Sequence, residues 1–457
     1  MASLSPPRPL TLDPNPAAPA GHEPRRARSA RDGAAGLSLN FPRASAMLFT
    51  GPRAREARGG YSQREAMSAI EAERPHNHRK KTLEYPCDRT LSRRTFVRGA
   101  GALLAAATVN FPVRIRSEAT LVEARYYEKL GQNTIHCTLC PRECRVTDGS
   151  RGYCNVRENR SGAYYTLVYG RPCALHLDPI EKKPFFHVMP GTSAVSLSTV
   201  GCNLNCKFCQ NWQISQSRPE DVETRYTTPA QIVDQAISAR APSIAYTYAE
   251  PTIFMEYMQD IAKLARTKAK RNVVVSNGYV RKEPLLDLCG LVDAIKIDFK
   301  AFDESYYRDV CSATLRPVLD TMLTIHARNV WLELVYLVVP TLNDDAVKIR
   351  EMARWIIGNL GPDVPTHFSR FFPQYRLTNL PPTPVSTLDM AYNICREEGL
   401  HFVYVGNVPG HEAEHTYCPK CSRKIITRDG YRLESLDMTS GACRFCGHPI
   451  PGIWQEA

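Results

Sequence analysis

Cys202, Cys206 and Cys209 stand at spacing C-x3-C-x2-C in the run Cys202-Asn203-Leu204-Asn205-Cys206-Lys207-Phe208-Cys209. Three thiolates hold three irons of a [4Fe–4S] cube, because each iron takes one thiolate. The fourth iron is left open. A carrier that only moves electrons closes that corner with a fourth cysteine, whereas an open metal position is where a substrate or cofactor binds. The competing reading is a zinc knuckle. Zinc sites usually pair two CxxC units, and no Cys or His follows Cys209 until Cys289.

Two further cysteine sets flank this loop. Cys137-x2-Cys140-x3-Cys144-x9-Cys154 is four-cysteine ligation and reads as a closed site, for which zinc and an auxiliary [4Fe–4S] cluster both fit. Buried free thiols are the plain alternative, and His136 could stand in as a ligand. Cys418-Pro419-Lys420-Cys421 and Cys443-Arg444-Phe445-Cys446 are two knuckles 21 residues apart. Between them Lys424–Thr427 and Tyr431–Glu434 read as a hairpin about Asp429-Gly430, which together make a structural zinc ribbon. The expectation is four irons per chain, zinc at the ribbon, and a first set whose metal is left open. Cys87, Cys173, Cys289, Cys311 and Cys395 read as core or surface thiols.

The elements that must position these groups begin at Ser193. Strand candidates are Ala194–Val200, Ser243–Tyr248, Asn272–Ser276, Ala294–Asp298, Val330–Val339, His367–Phe372 and His401–Val405. Helical stretches such as Pro229–Arg240, Ile253–Lys270, Leu315–Ala327, Asp344–Asn359 and Thr387–Glu398 alternate with them. That alternation predicts parallel βαβ units, hence an α/β chain with a partial or full (β/α) barrel. No G-x-G-x-x-G follows the first strand, which speaks against an open dinucleotide-binding sheet. Barrel chemistry sits at the C-terminal ends of the strands, and the cysteine loop obeys that rule. So do Glu250, Asn277, Asp298 with Lys300, and Gly406 with Asn407, while Arg370 lies within the sixth strand.

Length and charge bound the rest. The 457 residues suffice for two or three domains. Of the net charge of +12, residues 1–118 carry +10 and the remainder +2. The part expected to fold is near neutral, which argues against a nucleic-acid partner. Sixteen cysteines in grouped sets suit metal loading in a reducing cytosol better than a disulfide scaffold. Residues 1–85 read as disordered. Ser92-Arg93-Arg94-Thr95-Phe96-Val97-Arg98, ahead of the small apolar run Gly99–Val109, resembles a Tat export signal at about residues 92–110. Assembly is expected in the cytoplasm, with export through that signal left open. A start at Met67 would place the arginine pair normally. The expected segments are a basic leader (1–118), a Cys-rich segment (119–190), the barrel (191–410) and the ribbon module (411–457).

Several words of the chain together resemble one family. They include Tyr126-Tyr127-Glu128-Lys129-Leu130, Cys137-Thr138-Leu139-Cys140-Pro141 and Asp178-Pro179-Ile180-Glu181-Lys182-Lys183-Pro184. The resemblance continues through Cys202–Trp212, Ala245–Thr252, Ser369-Arg370-Phe371 and Tyr404–His411. From about residue 125 onward the chain resembles the radical S-adenosylmethionine (SAM) component of the AmmeMemoRadiSam system, a relative of the pyruvate formate-lyase-activating enzymes. The resemblance implies that the free iron chelates SAM and that Phe208 lies near the adenine. Glu250 stands where the family has a GGE segment, here Tyr248-Ala249-Glu250, so the contact to the SAM amino group passes to the side chain. It implies that Asn277, Asp298 and Lys300 face the ribose and carboxylate, that Gly406-Asn407 meets the adenine, and that Arg370 pairs with a carboxylate.

The activity so implied is reductive cleavage of SAM to a 5′-deoxyadenosyl radical that abstracts hydrogen from a substrate or partner. Implied partners are a flavodoxin or ferredoxin, and a Memo-like, AMMECR1-like or glycyl radical protein. Two other classes fit the same residues. One is a catalytically silent Fe–S electron-transfer or metal-handling protein, and the other is a binding module that works through its ribbon.

Overall fold

The computed structural model describes residues 121–455. The Tat-like segment, Met67 and Cys87 lie outside them. Eight strands form the central sheet: β1 (Ala174–Pro179), β2 (Ser193–Ser198), β3 (Ser243–Tyr246), β4 (Arg271–Ser276), β5 (Ala294–Asp298), β6 (Trp331–Val338), β7 (Thr366–Arg370) and β8 (Val403–Gly406). They neighbour one another in chain order, and β2 to β8 run parallel. β1 pairs antiparallel with β2, and the edges β1 and β8 are not bonded to each other. Of the two barrel forms expected, the chain therefore adopts the partial one. β1 lies in the stretch assigned from sequence to the Cys-rich segment, so the sheet begins before residue 191.

Helices cover the outer face along each parallel crossover. They are α1 (Pro229–Ser238), α2 (Met255–Thr267), α3 (Lys282–Cys289), α4 (Glu304–Cys311), α5 (Arg316–Ala327), α6 (Ala346–Leu360) and α7 (Val385–Glu398). Their starts are written locally. Thr228 and Gln231 form a reciprocal capping box at α1. Asp303 accepts from the Tyr306 N–H at 2.9 Å, and Asp345 from the Lys348 N–H at 2.9 Å. α6 buries Ile349, Met352, Ala353, Ile356 and Leu360, an apolar stripe at helical spacing facing the sheet.

Residues 122–166 form two small antiparallel sheets docked on the barrel. Arg157 and Glu256, both at most 1% exposed, pair at 2.6 Å, and Arg125 pairs with Asp260 at 2.9 Å. The C-terminal module is a three-stranded sheet of Thr416–Tyr417, Lys424–Asp429 and Arg432–Leu436. Its Ile425, Ile426 and Ile450 share a core with Phe186, Phe402 and Tyr404. No helix among the described residues is long and apolar enough to cross a membrane.

Candidate functional site

Beyond β2 the chain turns at Gly201, with φ at +98°. A Cβ there would stand 2.5 Å from Val156 Cγ1 and 2.9 Å from the Cys154 carbonyl, so only glycine lets the cysteine loop approach the N-terminal segment this closely. The loop is then tied from several sides. Asn203 donates to the Tyr279 carbonyl at 2.7 Å and receives Asn277 Nδ2 on its side-chain oxygen at 2.9 Å. The N–H groups of Asn205 and Lys207 reach the carbonyls of Cys311 and Val310 at the end of α4, at 3.2 and 3.0 Å. Arg142 Nε holds the Asn203 carbonyl at 3.0 Å.

The three sulfurs have donors nearby. Cys202 Sγ accepts from the Leu204 N–H at 3.4 Å and lies 3.7 Å from Asn277 Nδ2, while Cys209 Sγ lies 3.2 Å from Ser215 Oγ. Cys206 is hydrogen-bonded by the thiol of Cys311, which lowers it, and the Lys300 charge adds to that effect against burial. Burial pushes Cys202 and Cys209 up. Cys311, read from sequence as an ordinary thiol, is buried beside the loop.

All three cysteines and Phe208 line one cavity of about 850 Å³. Glu250, Asn277, Asp298 and Lys300 join them from the ends of β3, β4 and β5, as do Gly406 and Asn407 from β8. The Glu250 carboxylate accepts from Thr252 N at 3.0 Å, Ser276 Oγ at 2.8 Å and Asn277 N at 2.8 Å. It thereby clips the ends of β3 and β4 together, leaving little acceptor capacity for a ligand. Asp298 lies 3.2 Å from Lys296 Nζ and 3.1 Å from Lys300 Nζ. Burial opposes its charge, yet the two lysines hold its carboxyl at about 2. Lys300 Nζ in turn stands 5.7 Å from the Phe208 ring centroid.

Arg370 is the exception among the expected residues. It does not line the cavity; its Nε donates to the Thr383 carbonyl at 2.8 Å. Side chains alternate along a strand, and it is Ser369 that faces inward on β7.

The structure adds residues that sequence reasoning missed. Lys296, two positions before Asp298 on β5, shares its face, and a charged pair at i, i+2 in an otherwise apolar strand was the available signal. Glu333 on β6 is fully buried and takes the N–H groups of Phe186 and His187 at 3.0 and 2.9 Å. Its other partner, His367 at 2.8 Å, lines the cavity floor. Opposite Ala194 at the start of β2, Asp178 binds Lys182, Lys183 and the Tyr248 hydroxyl. Lys183 Nζ lies 4.7 Å from the Tyr248 ring centroid, and burial brings its amine down to about 8 against the pull of Asp178. Gly430 and Tyr431, on the C-terminal hairpin, also reach the cavity.

The outer cysteine sets differ. Cys418, Cys421, Cys443 and Cys446 have sulfurs all within 4.8 Å of one another, with Cys418 to Cys446 at 3.6 Å and Cys421 to Cys443 at 3.7 Å. A tetrahedron with metal–sulfur bonds of about 2.3 Å has edges of about 3.8 Å, so the donor set fits one ion. Among the described residues it is the one group of Cys, His, Asp or Glu so gathered. Cys137, Cys140, Cys144 and Cys154 neighbour one another electrostatically but are not drawn to a single-ion spacing.

Comparison with known proteins places this geometry. The model of the radical SAM superfamily matches residues 196–353. MJ0808 of Methanocaldococcus jannaschii, named as uncharacterized, is 46% identical over 330 residues, spanning 72% of this chain and 98% of that one. MJ1632 of the same organism, named as a candidate glycyl-radical enzyme activating enzyme, is 29% identical over 126 residues, 28% of this chain and 47% of that one. A solved domain of a pyruvate-formate lyase-activating enzyme from Bacteroides vulgatus aligns with TM-score 0.32 at 16% identity, covering 36% of this chain and 98% of that chain.

Proposed function

Since the chain belongs to the radical SAM superfamily, we propose that it cleaves SAM reductively at a [4Fe–4S] cluster held by Cys202, Cys206 and Cys209. The observation that carries this reading is convergence. Three loop sulfurs and the polar ends of β3, β4, β5 and β8 open into one cavity of a size that encloses a small organic ligand. Bound there, the cluster supplies the electron that splits SAM into methionine and a 5′-deoxyadenosyl radical.

The chain's own residues orient and shield. Asn277 and the Leu204 N–H donate toward Cys202, favouring its thiolate. Lys300 places a positive charge beside Cys206, and Asp298 fixes that ammonium between the loop and β5. Phe208 and Lys300 form an apolar and cationic edge suited to an adenine ring and a carboxylate. Lys183, Tyr248 and Tyr431 add to the lining that keeps water from the reacting centre. We assign zinc to the C-terminal four-cysteine site, and a flavodoxin or ferredoxin as electron donor. The AmmeMemoRadiSam grouping, with its Memo-like and AMMECR1-like partners, rests on the sequence words quoted above. MJ1632 favours a hydrogen donor on a protein, as in a glycyl radical partner.

The test is anaerobic reconstitution with iron and sulfide, reduction with dithionite, and addition of SAM. Formation of 5′-deoxyadenosine is expected, together with a SAM-dependent change in the cluster's EPR spectrum. An intact cluster whose spectrum ignores SAM and which forms no 5′-deoxyadenosine would make this an electron-transfer or metal-handling protein instead.

A further inference from the structure

The four cysteines ahead of the barrel have no part in the site above, and the N-terminal segment docks without them through Arg157–Glu256, Arg125–Asp260 and Arg142–Asn203. Yet the Tyr153 N–H donates to Cys144 Sγ at 3.3 Å, and the N–H groups of Leu139, Arg142 and Val156 lie toward the sulfurs of Cys137, Cys140 and Cys154. Three of these come from the residue two positions on. The same i+2 relation serves Cys202, Cys209, Cys418, Cys443 and Cys446, five of the seven cysteines assigned to metal elsewhere in the molecule. These N–H groups oppose the burial that pushes the Cys137, Cys140 and Cys154 thiols up.

A second observation is independent of the cysteines. Tyr164 is fully buried, and its hydroxyl has no hydrogen-bond partner. It neighbours Cys137, Cys144 and Cys154 electrostatically. A buried hydroxyl without an acceptor costs about 1–3 kcal/mol, so an acceptor belongs in front of it. Gly152 keeps the space clear: a Cβ there would stand 2.6 Å from the Tyr164 hydroxyl and 3.7 Å from Cys144 Sγ. The Arg157 guanidinium, fully buried, faces Cys137 and Cys154 with the opposite charge.

Sulfur spacing favours a cube over a single ion. One zinc ion would draw the sulfurs to edges of about 3.8 Å, as at the C-terminal module, and here they are not so drawn. Thiolates that each bind a different iron of a cube stand farther apart. We propose that Cys137, Cys140, Cys144 and Cys154 hold a second [4Fe–4S] cluster, with the Tyr164 hydroxyl donating to one of its sulfurs. All four irons of this cube carry a protein ligand, so it stores an electron and binds no substrate. It sits against the open site, since the Cys154 carbonyl abuts Gly201, the residue before Cys202.

The assignment does not depend on what the open cluster does, and its test keeps the two apart. The reconstituted full chain should hold about eight irons and eight sulfides. The triple variant Cys202→Ala, Cys206→Ala, Cys209→Ala should keep about four of each, with a [4Fe–4S] EPR signal that SAM does not alter. In that background Tyr164→Phe should retain the iron and lower the midpoint potential, because a donor to sulfur is lost. About four irons in the full chain, or a triple variant holding zinc or no metal, would overturn the proposal. So would a potential that Tyr164→Phe leaves unchanged.

Discussion

The barrel loop and the C-terminal module both present reduced cysteines on short turns, yet they are built for opposite ends. In the module four sulfurs from two knuckles crowd within 4.8 Å, a spacing that would satisfy one ion completely. On the loop three sulfurs open into a cavity of about 850 Å³ beside an Asp–Lys cluster and an aromatic ring. Residue type is the same in both. What differs is how far the sulfurs stand apart and whether polar groups from other elements face the remaining metal position.

The comparison breaks most sharply at Cys206. Cys206→Ala should abolish 5′-deoxyadenosine formation while circular dichroism and the ion at the module stay unchanged. The reverse substitution pair, Cys418→Ser with Cys421→Ser, should lose that ion and lower Tm by more than about 10 °C. Calorimetry alongside metal analysis reads both. The drop is not confined to the module, because Ile425 and Ile426 pack on Phe402 and Tyr404 next to β8.

A smaller effect is expected at Asp298. Asp298→Asn leaves Lys296 and Lys300 without their counter-charge and, with the carboxylate about a third exposed, should cost about 1–2 kcal/mol in urea unfolding at pH 7. The sign with pH follows from its carboxyl, held at about 2 against an ordinary value of about 3.9. The folded state releases this proton more readily than the unfolded state. Its stabilisation is therefore complete above about pH 4 and is lost as pH falls through about 2. The Asn variant should lack that part of the acid limb. Least of all, Tyr431→Ala on the exposed hairpin tip should change stability by no more than about 0.5 kcal/mol, with any effect falling on KM.

Much of this arrangement was legible in the sequence, and the exceptions have physical reasons. The parallel strands fell within a few residues of their expected places because both faces are covered and β-branched runs stand out. Glu250, Asn277, Asp298 and Lys300 were found at strand ends because polar residues interrupt those runs. Arg370 was misjudged by one pleat. Glu333 and His367 went unseen because residues 34 apart on neighbouring strands announce no spacing. β1 was hidden as a polar-tipped edge strand ending at Pro179. Cys311 looked ordinary because its importance lies in standing beside Cys206, which only the packing of α4 brings about.

The wall that carries Phe186 and His187 has a particular construction. It hangs from Glu333 on one side, and on the other from residues 451–453, with His187 bonded to the Pro451 carbonyl across 264 positions of chain. The cost of closing such a loop rises only with the logarithm of its length, so the long separation is little bar to it. With His187 and Met189 buried, the wall clamps the C-terminal residues to the barrel, and amide exchange at both positions should be as slow as in β4 and β5.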